Sequence, residues 1–486
     1  MNRADSSARV AAGESWDVVI IGGGATGSYA ALDAASRGYR TLVVERGDFA
    51  SGTSSRSTKL IHGGVRYLRQ GRPGLVRASL RERTLLLQNA PDYVHERTFV
   101  VPVFSGWEKL YYGIGLKVYD LLASGHQPTP SRLLSKAEAA AALPTLRTDR
   151  LTGGVRYSDG QFDDTALVLA LLRAATEHGA AVLNYTAVVA LRKEAGRVCG
   201  VELRDEETGA THAVTARVVI NATGVFSDEV RRLDEPGAAT TIAPSQGAHV
   251  VLPREFLPGD TALMIPKTSD GRLLFVIPWQ GRVLVGTTDT AVDKIARAPV
   301  PLAEEIDFLL EHAALYLTRA PTRADVLSAF AGLRPLVRAS RGKTSALSRD
   351  HVIRVAPSGL VTIAGGKWTT ARKMAEAVIN RAAEVGALPR RVCRTESHAL
   401  PAPELFAGNG DNLTAADVVA CARTSMARTV EDVLSRRTLA LYRDARGAGE
   451  LAPLVAATLA AAHGRGEAWQ AEQLAVFRAL VRQHLP

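Results

Sequence analysis

Cysteine is scarce: Cys199, Cys393 and Cys421 stand far apart in 486 residues and form no C-x-x-C pair. That excludes a disulfide scaffold or a zinc ribbon and leaves reduced, inert thiols of a cytoplasmic compartment as the expectation. Long apolar runs are also missing. The nearest, residues 451–462, falls well short of the roughly 20 residues a spanning helix needs. Residues 1–15 are polar and small, without the apolar centre of a secretory signal. There is no P-loop, no metal-ligand spacing, no serine-hydrolase elbow and no internal repeat. What the chain does hold is a basic excess, 59 Lys and Arg against 49 Asp and Glu, for a net charge of +10. The arginines are dispersed, so an anionic substrate or an acidic membrane surface accounts for them better than nucleic acid. A hydrophobic fraction of 46% over this length predicts a globular protein of two or three domains.

The organising stretch is WDVVIIGGGATGSYAALDAASRGYRTLVVE, residues 16–45. An apolar β-branched run, 17–21, predicts a buried strand, 25–37 a helix, and 41–44 a second strand. Gly22, Gly24 and Gly27 fall in G-x-G-x-x-G register between the first strand and the helix. In that setting the first glycine serves a tight turn, the second the approach of a pyrophosphate, and the third close packing of helix on strand. The helix N-terminus then offers free N–H groups to phosphate. Glu45 ends the second strand, where a carboxylate accepts from ribose hydroxyls; an acid there suits FAD or NAD better than NADP.

Residues 46–69, RGDFASGTSSRSTKLIHGGVRYLR, are dense in hydroxyl, glycine and basic residues. They read as a surface loop or, following a nucleotide motif, as a lining for phosphates and a flat ring, with Thr53, Ser54, Ser55 and Ser57 as donors. Lys59, Arg66 and the Gly63–Gly64 turn would complete that lining. Residues 107–122 (WEKLYYGIGLKVYDLL) predict an amphipathic helix whose apolar stripe is either core, the commoner use, or a lipid contact. Residues 163–178 form a helix with acids in its first turn, and 240–289 alternate as a second, β-rich sheet. Arg334 sits among apolar residues and needs an anion, whether a local carboxylate or a substrate. Near 360–376 a strand runs into Gly365-Gly366-Lys367 and then a helix. A helix N-terminus beside a lysine favours the negative charge that a flavin takes up with hydride. From about residue 395 the composition turns to alanine- and arginine-rich helices.

The run TSS-x-S-x-KLIHGG-x-RYL after a βαβ unit, with GGKWTT near 365–370 and MARTVEDVL-x-RRT at 426–438, resembles the FAD-dependent, aerobic-type glycerol-3-phosphate dehydrogenase family. The likeness covers nearly the whole chain after residue 15. It implies an α/β (α+β) architecture: a Rossmann-like FAD-binding domain of the glutathione-reductase/D-amino-acid-oxidase type, a β-rich substrate domain and an all-α C-terminal domain. The FAD-binding domain is expected at 16–80, 155–235 and 335–390, the substrate domain at 81–154 and 236–334, and the helical domain at 395–486. Expected around FAD are Gly22, Gly23, Gly24, Ala25, Thr26, Gly27, Glu45, Arg46, Thr53, Ser54, Ser55, Ser57, Lys59, Leu60, Ile61, His62, Gly63 and Gly64. Val188, the Ala222-Thr223-Gly224 turn, Gly366, Lys367, Trp368 and Thr369 join them.

The implied reaction takes two electrons from the secondary alcohol of sn-glycerol 3-phosphate and gives dihydroxyacetone phosphate. Its phosphate dianion calls for a fork of cations, for which Arg66, Arg334, Arg349 and Lys367 are available. Tyr67 and Thr287 complete the substrate contacts. His249 is the candidate base, with a pocket arginine or water as the alternative. The family often shows Lys-Gly-Ser-His where this chain has Gln246-Gly247-Ala248-His249, which removes a positive charge and a hydroxyl from expected substrate contacts. A quinone acceptor is expected, with the protein cytoplasmic and peripheral on the inner face of the membrane; a homodimer stays open. The alternatives are an oxidase using oxygen, an FAD enzyme acting on an amino acid or 2-hydroxy acid, and a non-enzymatic redox sensor.

Overall fold

The computed structural model describes residues 1–64, 73–123, 129–338, 351–403 and 412–486. Two sheets dominate it. The first has eight strands among the described residues, and at its centre Trp16–Ile21 runs parallel to Thr41–Val44 on one side and to Thr211–Asn221 on the other. Ala181–Leu183 and Val361–Gly365 extend this parallel core. A strand covered on both faces must be apolar throughout, and Val18, Val19 and Ile20 are fully buried. The Ala25–Ser36 helix packs between Asp164–Glu177 and Ala371–Val385 over one face; its alanines and glycine permit that closeness. Thr211–Asn221 is long enough for two jobs, pairing with an antiparallel meander (Thr186–Glu194, Arg197–Asp205) at its start and with the parallel core at its end.

The second sheet has ten strands among the described residues and is mostly antiparallel. Its spine is Ile242–Pro253, paired with Ser328–Val337 along its length and with Arg282–Gly286 beside it. Residues 60–61, 155–162 and 335–337, expected in the cofactor domain, pair within this sheet. Gly153–Phe162 pairs residue for residue with Val94–Val103, Leu60–Ile61 adds to its edge, and Ser328–Val337 stays in the sheet to its end. Ladder pairing, not the proximity of a motif in sequence, fixes where the chain changes sheets.

The Gly106–Leu122 helix departs from the commoner expectation of a core stripe. Only Leu116 and Tyr119 are buried. Trp107 (73%) and Leu121 (77%) are open to solvent, as are Leu110, Tyr111, Ile114 and Val118 between them.

The last helices, Ala445–His463 and Glu467–Gln483 with shorter turns before them, form their own apolar cluster but are bolted to both sheets. Arg436 and Arg437 converge on Asp48 at 2.5 and 2.7 Å, and Tyr185 donates to Asp432 at 2.7 Å. Ala329 N–H donates to the His484 carbonyl at 2.7 Å, and Ala445 N–H to that of Leu327 at 3.0 Å. Among the described residues, no helix is long and apolar enough to cross a membrane.

Candidate active site

A cavity of about 640 Å³ runs from the carboxyl end of the parallel sheet to the face of the second sheet. At its first end Gly22 takes φ +111°, and a Cβ there would lie 2.7 Å from the Ala222 carbonyl oxygen. A Cβ on Gly27 would lie 1.9 Å from the Gly22 carbonyl oxygen, so only glycine lets helix and strand meet this closely. Gly24 and Thr26 line the cavity at the helix N-terminus, and Ser54 Oγ accepts from Ala25 N–H at 2.9 Å. Glu45 accepts from Gly23 and Gly47 N–H at 2.9 and 3.0 Å, so its carboxylate is held at the cavity wall. Asn221 holds the next turn through Thr223 Oγ1 at 2.7 Å. This turn-and-helix cradle, closed to any side chain, fits a dinucleotide pyrophosphate with its ribose on Glu45.

Opposite, Val361–Gly365 leads into Gly366, Lys367 and a short helical turn, Trp368–Thr370, before the Ala371–Val385 helix. Trp368 Nε1 donates to the Ser54 carbonyl at 3.1 Å, and Thr369 Oγ1 bonds the His62 backbone at 3.3 Å. The segment around the Gly63–Gly64 turn is thereby joined to the one after Gly365-Gly366, about 300 residues on, at the cavity lining.

At the far end, His249 and Arg334 stand on adjacent antiparallel strands. Arg334 is gripped by Asp289 Oδ1 (3.0 Å), the Thr288 carbonyl (2.8 Å), Thr287 Oγ1 (3.2 Å) and the Gln246 carbonyl (3.3 Å). It meets a local carboxylate and also lines the cavity. The His249 ring stacks on Phe330 with centroids 4.9 Å apart. Its other side meets Gly286, where a Cβ would lie 2.1 Å from the ring. Burial, and then the cations of Arg334 and Lys59, push its pKa well below the usual histidine value. The imidazole is therefore neutral near pH 7.

Most expected residues line this cavity: Gly22, Gly24, Ala25, Thr26, Glu45, Arg46, Thr53, Ser54, Ser57, Leu60, His62 and Gly64 do. So do Val188, Ala222, Thr223, Gly224, His249, Thr287, Arg334, Gly366, Lys367, Trp368 and Thr369. Arg66, Tyr67 and Arg349 lie outside the described residues. Gly23, Gly27, Ile61 and Gly63 sit behind the wall and shape the turns. Two expectations need correction. Lys59 does not face the cavity: fully buried, its Nζ donates to Asp164 Oδ1 at 2.6 Å and to the Ser55 carbonyl at 2.7 Å. The hydroxyls of the 53–57 segment are also committed within the protein. Thr53 donates to the Leu333 carbonyl (2.6 Å), Ser57 to Asp164 (2.7 Å), and Ser55 lies off the cavity near Tyr442. A buried lysine or hydroxyl must find a partner, and here Asp164 and the sheet supply it.

Gln246 does not line the cavity at all. Its amide donates to Glu305 at 2.7 Å, and Thr288 and Thr290 share that carboxylate at 2.7 Å each. Substitution away from the family's lysine therefore concerns Glu305, not the substrate wall. Residues not singled out from the sequence also line the cavity: Thr58, Tyr157, Asp159, Arg272, Phe275, Thr288 and Asp289. Asp289 had a signal, since it directly follows the Gly286-Thr287-Thr288 strand end; Arg272 had none.

A largely parallel sheet carrying a dinucleotide cradle, facing a mostly antiparallel sheet with the cavity between, is the architecture of a dinucleotide-dependent oxidoreductase. Residues 17–381 match the family described as FAD dependent oxidoreductase, and the chain belongs to it, with FAD as the cofactor. The chain is similar to the mitochondrial glycerol-3-phosphate dehydrogenase of Homo sapiens, 44% identical over 396 residues, covering 78% of this chain and 54% of that protein. The Arabidopsis thaliana enzyme of that name is also 44% identical, over 81% of this chain and 65% of its own length. The chain thus spans between about half and two thirds of the length of these curated relatives. Among solved structures, a glycerol-3-phosphate dehydrogenase from Bacillus halodurans complexed with FAD aligns over 100% of this chain and 98% of its own at TM-score 0.81 and 27% identity. An L-alpha-glycerophosphate oxidase from Mycoplasma pneumoniae shares the fold at TM-score 0.60 and 19% identity.

Proposed function

We propose that this chain oxidises sn-glycerol 3-phosphate to dihydroxyacetone phosphate. The observation that carries the reading is the pairing of a neutral, immobilised His249 with a fixed Arg334 at the substrate end of the FAD cavity. Arg334 puts a positive charge on the cavity wall, with its terminal nitrogens engaged by the Gln246 and Thr288 carbonyls, Thr287 and Asp289. Those four bonds hold the cation in place before substrate arrives, so little ordering remains to be done on binding. Lys367 and Arg272 add positive charge to the cavity lining. FAD, when bound, accepts the hydride from the carbinol carbon. His249 takes up the hydroxyl proton; being neutral, it is in the protonation state a base requires. Similarity to the dehydrogenases of Homo sapiens and Bacillus halodurans supports this substrate.

Electrons then pass to a quinone at a membrane surface. In support, the exposed apolar face of Gly106–Leu122 is flanked by Lys109, Lys117 and Arg132, with Leu133 beside it, a pattern suited to anionic lipid.

The test is anaerobic. FAD-loaded protein given sn-glycerol 3-phosphate should lose its oxidised-flavin absorbance within seconds, and glycerol, lactate or proline should leave it yellow. A protein bleached by proline or lactate but not by the phosphate belongs to another substrate class. Adding air or a soluble quinone to the bleached protein then separates an oxidase from a quinone-linked dehydrogenase.

A further inference from the structure

His249 borders the cavity, but its Nε2 edge is turned to a neighbouring hydroxyl. Its Nε2 lies 2.9 Å from Thr58 Oγ1, and its Nδ1 is buried with no hydrogen-bond partner among the described residues. Phe330 and Gly286 pin the ring from both sides, so it cannot turn to offer another edge. Thr58 is placed with similar care. Ser57 and Lys59, its two neighbours, are both held by Asp164, at 2.7 and 2.6 Å. Thr58 between them stays part-exposed on the cavity wall.

We propose that Thr58 is a catalytic residue, the hydroxyl through which His249 reaches the substrate. The inference rests on the alcohol oxidation proposed above. The substrate O–H bond breaks and its proton passes to Thr58 Oγ1, while the Thr58 proton moves to His249 Nε2. The carbinol C–H bond breaks with its electron pair, which leaves as hydride to FAD, and the carbonyl forms. His249 ends as imidazolium and Thr58 is regenerated. Relay in this direction requires the resting imidazole to carry its proton on Nδ1, with Nε2 as acceptor. Arg334 and Lys59 face the ring as cations, each already paired, with Asp289 and Asp164 respectively. The new imidazolium therefore returns its proton through Thr58 Oγ1 to water in the cavity once product has left.

Two measurements on the FAD-loaded protein test this. In rapid anaerobic mixing, Thr58→Val should slow flavin reduction by about 10²–10³-fold, the usual scale of a lost proton acceptor, with substrate affinity within about threefold. Thr58→Ser should recover most of the rate. Thr58→Val combined with His249→Asn should be no slower than either alone. Should the valine variant fail to hold FAD, Thr58→Ala takes its place. Independently, ¹⁵N-histidine spectra, assigned by loss of a signal in His249→Asn, should show an unprotonated, hydrogen-bonded Nε2. That resonance should shift in Thr58→Val and return in Thr58→Ser. Wild-type rates in Thr58→Val, or a proton resident on Nε2, would overturn the relay. If the wild type is not bleached by sn-glycerol 3-phosphate, the substrate reading fails, and the nitrogen spectrum still reports on the Thr58–His249 bond.

Discussion

Gln246 shows how one residue's role changes once its partner is visible. Beside a histidine in a substrate sheet, the loss of a lysine reads as a lost phosphate contact. In the fold its amide turns from the cavity to Glu305, a carboxylate 3% exposed that also takes bonds from Thr288, Thr290 and the Leu302 N–H. Glu305 in turn orders Thr288, whose carbonyl holds Arg334. Restoring the charge with Gln246→Lys should therefore leave the rate of flavin reduction and the substrate affinity within about threefold of wild type, because the ammonium would pair with Glu305. Steady-state kinetics with sn-glycerol 3-phosphate measure this; a tenfold gain in affinity would place the side chain in the substrate site.

Among the elements, the C-terminal helices have the strongest claim on stability. They cap Asp48, in the loop after the Thr41–Val44 strand, with two arginines, and they cover the Ser328–Val337 strand that carries Arg334. His484 is wedged there, 5.6 Å from the Tyr442 ring, and burial with a contribution from Arg56 pushes its pKa to about 3. An unfolded histidine titrates near 6.5, so the unfolded chain binds the proton first as pH falls. Stability from this group is complete above pH 6.5 and is lost on the way down to about 3. By pH 4.5 the loss is roughly 2–3 kcal/mol. Urea midpoints across pH 4.5–7.5 should fall more steeply on the acid side for wild type than for His484→Phe, which has no proton to bind.

For the molecule as a whole, the exposed face of Gly106–Leu122 sets a boundary. Six large apolar side chains open to water along one helix, from Trp107 to Leu121, are far from the scattered exposure of an ordinary surface. With Lys117 and Arg132 beside them, they fit the headgroup region of an anionic bilayer. Trp107→Glu with Leu121→Glu should abolish sedimentation with phosphatidylglycerol vesicles and leave flavin reduction by a soluble substrate unchanged. If the charged variant instead halves the mass in solution and never affected lipid binding, the face joins two copies of the chain.

Local sequence determined the dinucleotide unit, since its causes are local. Gly22 must take φ +111°, Gly27 must clear a carbonyl, and the apolar runs must be buried strands. The Gly365-Gly366-Lys367 turn is legible for the same reason. Tertiary structure alone decided which polar groups of the 46–69 segment and the second sheet face the cavity. Lys59 goes to Asp164, 105 positions on, and Thr58 meets His249, 191 positions on. Arg334 finds Asp289 across the intervening Ile242–Pro253 strand. A buried donor takes whichever acceptor the packing brings within about 3 Å, and that acceptor's position in the chain is set by sheet pairing, not by the residues beside the donor.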